Sequence, residues 1–131
     1  MRHALRGILL VVAGAVLTGC SGICQPSPLG ISPDSVRQGD SITVSALPST
    51  CDLGLDKDQE YVVRLTFPGS PGSTVERRVE VNEDGEFSVL VPVPDTAPSG
   101  KAQVFVIGSP LDKCDREGSC AGYQAPFTVL R

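Results

Sequence analysis

From Ser41 onward apolar and polar residues alternate with a period of two: Ile42, Val44 and Ala46 are separated by Ser41, Thr43 and Ser45. Successive side chains of an extended chain point to opposite faces, so this alternation predicts a strand with one buried face, not a helix. The pattern returns at Tyr61, Val63, Leu65 and Phe67, at Val75, Val79 and Val81 with Arg77 out of place, and at Phe87, Val89, Val91 and Val93. Between Lys101 and Gly108 both faces are apolar, with Ala102, Val104 and Val106 on one and Phe105 and Ile107 on the other. That doubling predicts a central strand covered on both sides. Phe127 and Val129 close the series. Turn chemistry falls between the runs, at Arg37-Gln38-Gly39-Asp40, Pro68 to Gly72, Asn82-Glu83-Asp84-Gly85 and Pro94 to Gly100. Downstream of the amino terminus no window carries an amphipathic helical period. Short strands punctuated by Gly and Pro turns predict an all-β fold, an antiparallel sandwich of about seven strands.

The one long apolar run, Ile8 to Leu17, follows basic Arg2 and Arg6 and ends in small residues, the three parts of an export signal. At ~1.5 Å per residue its ten positions span ~15 Å as a helix, half of a ~30 Å hydrocarbon core, too short for a membrane span. Leu17-Thr18-Gly19-Cys20 resembles the bacterial lipobox, in which an aliphatic residue and two small ones precede an acylated cysteine. The resemblance implies that residues 1–19 are removed and that Cys20, bearing lipid such as palmitate, becomes the first residue of an envelope protein. That protein would be held on the extracytoplasmic side of the bacterial cell membrane. Two or more acyl chains hold a protein stably, where one holds it marginally. Residues 20–30, with Pro26 and Pro28, then read as the lipidated cysteine and a short stalk, and residues 31–131 as the folded domain.

Cysteine arithmetic agrees. Five cysteines are an odd number for an exported chain, and assigning Cys20 to lipid leaves Cys24, Cys51, Cys114 and Cys120 for an oxidising compartment. Tracing the strands up and down brings all four to one pole. Cys24 with Cys51 and Cys114 with Cys120 is the preferred pairing. The rival joins Cys24 to one late cysteine and Cys51 to the other. A zinc site is disfavoured, because the only histidine, His3, leaves with the signal and paired C-x-x-C knuckles are missing.

Ile31 to Val44, with its proline-bearing first strand and Gly39-Asp40 turn, resembles the opening of bacterial immunoglobulin-like domains. Asp84 to Val89 followed by Pro94 to Gly100 is similar to their later hairpin and loop, and Ala125 to Val129 to their closing strand. No tryptophan is present and no Tyr stands two residues before a Cys, so the antibody inter-sheet disulfide is not carried over. The resemblance implies a sandwich used for binding or spacing and names no ligand.

Charge narrows the partners. Without Arg2 and Arg6 the mature chain has nine basic and fifteen acidic residues, a net charge of −6, which argues against nucleic acid. Asp52, Asp56, Asp58 and Glu60 share one loop, and Asp112, Asp115 and Glu117 another. Asp56, Asp58 and Glu60 are the candidates for calcium, but an EF-hand counted from Asp56 requires Gly where Tyr61 stands and Glu where Phe67 stands. Solvated loop charge, with no metal and no cofactor, is the expectation. Loss of His3 removes every His-based triad or proton shuttle, and no G-x-S-x-G elbow or P-loop occurs, so no catalytic residues and no enzyme are expected. The functional expectation is an anchored module that binds an envelope protein or glycan. The alternative is a structural spacer or accessory subunit without its own ligand.

Overall fold

The computed structural model describes residues 24–70, 72–112 and 122–131. Among these the chain is all-β, with eight strands: β1 (Gly30–Ser32), β2 (Ser35–Arg37), β3 (Ser41–Ala46), β4 (Glu60–Thr66), β5 (Thr74–Glu80), β6 (Phe87–Pro92), β7 (Gly100–Ile107) and β8 (Tyr123–Leu130). A short 3-10 turn covers Pro110–Asp112. Three strands form one sheet in the order β1-β3-β6, and five form the other in the order β2-β8-β7-β4-β5.

Alternation fixes which residues face inward. Ile42, Val44 and Ala46 of β3, Tyr61, Val63 and Leu65 of β4, and Ala102, Val104 and Val106 of β7 are all buried, and with Phe87, Val91, Phe127 and Val129 they make one aliphatic core between the sheets. Fully burying side chains of this size contributes roughly 1.5–3 kcal/mol each before the entropy of ordering them is set against it.

Three features depart from the sequence expectation. The opening strand is two strands: Pro33 and Asp34 separate β1, antiparallel to β3, from β2, which crosses to the other sheet and runs parallel to β8. Proline cannot donate to a ladder, so a strand carrying one must break or lie at an edge. The larger sheet is therefore mixed, not wholly antiparallel. Second, β7 lies between β4 and β8 as a central strand, yet its outer face is only partly covered: Phe105 is half-buried and Ile107 is 36% exposed. Third, residues 24–29 are packed on the domain, with Pro26 buried and Leu29 against the core, so the folded part begins ahead of Ile31.

The edges differ in character. Arg77 on edge strand β5 stands opposite Val63, an inward register position, and its guanidinium folds back to donate to the Glu76 carbonyl at 2.9 Å. An inward charge at an edge discourages further strand pairing. On β6, Val93 donates to the Asp40 carbonyl at 2.8 Å, which turns the backbone of Ser88, Leu90 and Pro92 toward the free edge, where Pro92 has no donor to offer.

Candidate functional site

Strand register brings four pieces of chain to one pole. Ala46 pairs with Phe87, Glu60 with Glu80, Val62 with Ile107 and Val106 with Tyr123, so residues 47–59 and 81–86 and the chain beyond Ile107 leave from the same end. Residues 24–29 lie against that end. Cys24 and Cys51 are joined there by a disulfide with a Cα–Cα separation of 5.7 Å. Three hydrogen bonds reinforce the strap: Tyr123 Oη donates to the Ser27 carbonyl at 2.5 Å, Ser27 Oγ to the Pro48 carbonyl at 3.3 Å, and Ser49 Oγ to the Gln25 carbonyl at 3.3 Å. The segment expected as a stalk is thus held at both flanks of Pro26. Cys114, Cys120, Asp115 and Glu117 lie outside the described residues, as do Leu17, Thr18, Gly19 and Cys20.

Beneath the strap the end of the core is aromatic. Tyr61 packs edge-on against Phe87 at 5.4 Å and against Tyr123 at 6.5 Å between ring centroids. Burial raises the pKa of the Tyr61 phenol, and the Asp112 carboxylate adds to the rise. Tyr123 is pushed up to about 12, by burial first and Tyr61 second. Both phenols therefore stay protonated at neutral pH, and Tyr61 Oη has no hydrogen-bond partner among the described residues. Neither is poised for proton transfer, which needs a pKa near the working pH.

The acidic residues above them are mostly engaged with their own loops. Asp52 Oδ1 accepts from the Gly54 amide at 2.8 Å, Asp84 Oδ1 from the Glu86 amide at 3.0 Å, and Asp112 Oδ2 from the Gly108 amide at 2.5 Å. Glu60 faces Arg78 at 3.5 Å, an exposed pair of small energetic weight. Gln59 ties two loops together, its side chain donating to the Gly108 carbonyl at 3.3 Å. Asp56 and Asp58 are exposed. Among the described residues no three His, Cys, Asp or Glu side chains are placed to hold a metal ion, so the calcium candidates Asp56, Asp58 and Glu60 are not assembled into a site. Lys57, Asp58, Glu80, Val81 and Asn82 to Asp84 line an open groove of ≈ 510 Å³ whose surface is mainly polar.

No family model, curated protein or solved structure matches this chain. Among the described residues no helix is long and apolar enough to cross a membrane. The Cys24 to Cys51 bond is the pairing the sequence favours, whereas the packing of residues 24–29 against the domain was not disclosed by it. The signals of that packing were the buried Pro26 and the Ser27 and Ser49 hydroxyls, all of which sit in stretches without periodicity.

Proposed function

We propose that the chain is an envelope lipoprotein, anchored through lipid on Cys20, whose domain is an immunoglobulin-like sandwich serving as a binding or adaptor module for an extracytoplasmic protein or glycan. The observation that carries this reading is the strap. With Cys24 fixed to Cys51 and residues 24–29 packed down, only Ser21, Gly22 and Ile23 separate Cys20 from a rigid body. A disulfide at that point suits an oxidising compartment outside the cytoplasm, and a lipid placed four residues before it would hold a folded domain close to a membrane.

The strand arrangement supports the immunoglobulin-like part of the reading. Two sheets enclose one core, and the chain crosses between them after β1, β2, β3, β5 and β6, the crossover habit of such sandwiches. Rigid loops converging at one pole suit recognition, because binding residues concentrate on loops held by a scaffold. No reaction is assigned to the chain.

Metabolic labelling with a palmitate analogue tests the anchor: the native chain should take up label and Cys20→Ser should not. Affinity capture from membranes, with and without cross-linking, tests the module. A stable stoichiometric partner supports binding, whereas no partner in either condition supports the spacer.

A further inference from the structure

The two sheets present unlike outer faces. The five-stranded sheet carries Arg64, Glu76, Arg78, Glu80 and Lys101 at outward positions, with Arg64 and Glu76 paired at 2.6 Å. Within the strands, the outward positions of the three-stranded sheet hold no charged residue: Ser41, Thr43 and Ser45 on β3 and Ser88, Leu90 and Pro92 on β6, with exposed Glu86 just ahead of β6 at the pole end. Leu90 is 63% exposed there, and Leu47, which continues the outward series of β3 beyond buried Ala46, is 74% exposed. These are the two most exposed large apolar side chains among the described residues, in a chain of net charge −4.

We infer that this face lies against the lipid surface to which the chain is anchored, with Leu47 and Leu90 entering the headgroup region. The inference rests on the anchor at Cys20. Four residue steps from Cys20 to Cys24 reach ~14 Å at full extension, at ~3.3–3.6 Å per residue, so the strapped end cannot leave the surface. The strap leads directly into β1 and hydrogen-bonds to Pro48 beside Leu47, so the tether emerges at the three-stranded sheet. That sheet is two strand spacings across, ~9.5 Å, within the same reach. Standing on its pole would instead press Asp52, Asp56, Asp58, Glu83 and Asp84 toward headgroup phosphates, which repel them. The three-stranded face brings one carboxylate, Glu86 at its pole end, against the five of the pole, and its leucines gain by burying apolar area at the interface.

The native chain has no tryptophan, so single substitutions report directly. Leu47→Trp, Leu90→Trp and, on the other sheet, Ile107→Trp would each be made in the full chain. Each acylated product would be reconstituted in phosphatidylcholine vesicles with acyl chains brominated near the headgroup, after a melting curve confirms that it folds. Leu47→Trp and Leu90→Trp should be blue-shifted and quenched several-fold more than Ile107→Trp. Equal quenching at Ile107, or an unquenched Leu90→Trp, overturns the inference. Capture of a protein by a photo-cross-linker at Leu90 in cells, with no quenching by lipid, also overturns it and assigns the face to a protein. The same variants carrying a histidine tag in place of Cys20, on vesicles with nickel-chelating lipid, supply a tether without acylation. Failure of lipid labelling in cells therefore refutes the anchor alone, and failure of quenching in the tagged variants refutes the face alone.

Discussion

Removing the disulfide by Cys24→Ala with Cys51→Ala perturbs the strap without touching a strand. The bond spans a sequence separation of 27 and so closes a loop of 28 residues. In the chain-entropy model that loop restricts the unfolded ensemble by ~12 cal/mol/K, or ~3.6 kcal/mol at room temperature. An unfolding entropy of ~2.1 cal/mol/K per residue over the ~108 residues from Cys24 to Arg131 then converts the loss to a fall in Tm of ~16 °C. The variant should still fold, because the hydrogen bonds from Tyr123, Ser27 and Ser49 remain at ~1 kcal/mol each. Calorimetry on the native chain and the alanine pair measures the shift, and the variant, unlike reductant, confines the change to this one bond. Hydrogen exchange supplies the spatial half of the test. The Ser49 amide, which donates to the Asp84 carbonyl, and its neighbours in residues 47–53 should lose protection, while amides around Val44, Val63 and Val104 keep theirs, since local opening follows packing. A loss below ~1 kcal/mol, at the floor of what disulfides contribute, would refute the chain-entropy reasoning. Protection falling equally in core and strap would refute the idea of a local clamp.

Tyr123 is expected to make the fold sensitive to alkali. Its phenol titrates near 10.0 when unfolded and at about 12 when folded, so the stabilisation is complete below pH 10 and is lost as the pH rises to 12. The residue is only 5% exposed, so solvent screens little of the effect. At ~1.36 kcal/mol per pKa unit the loss is about 2–3 kcal/mol, and denaturant midpoints from pH 8 to 12 should show most of it gone in Tyr123→Phe. Gly85 has φ 87°, and a Cβ there would stand 2.5 Å from Leu53 Cδ1, whereas Gly69, at φ 82°, has nothing within 4 Å. Both alanine variants incur the left-handed cost of ~1–2 kcal/mol, and Gly85→Ala should lose more because Leu53 must leave its buried seat, a difference that paired melts read directly. Calcium should shift Tm little, since Asp52, Asp84 and Asp112 already accept from their own loops. A saturable shift abolished by Asp56→Asn with Asp58→Asn would contradict this.

Strand identity was legible because a half-buried strand writes its burial into every second residue: β3, β4 and β7 bury the residues that alternation selects. Partnership was not, because alternation says which face is buried and nothing about which neighbour supplies the hydrogen bonds. The parallel pairing of Val36 with Val129 depends on a change of sheet at Pro33, and both halves of the split strand read as one run. Phe105 and Ile107 misled for a related reason: apolar residues on an outer face resemble those of a strand buried on both sides. Arg77 stood out of the alternation, and the reason, an inward register position on an edge strand, is visible only in the sheet order. At the pole, the acidic residues were visible but their engagement was not, since Asp112 bonding back to Gly108 is a property of loop conformation. Residues 24–29 looked like a stalk because prolines without periodicity also describe a strap.

The central claim is that lipid on Cys20 holds this domain at a membrane by the few residues ahead of the Cys24 to Cys51 bond. Intact-mass analysis and non-reducing peptide mapping of the chain isolated from bacterial membranes test it most directly. The account expects a mature amino terminus at Cys20, its mass raised by acyl chains, in a peptide linked through Cys24 to Cys51. An unmodified amino terminus at Ser21 or beyond would contradict it.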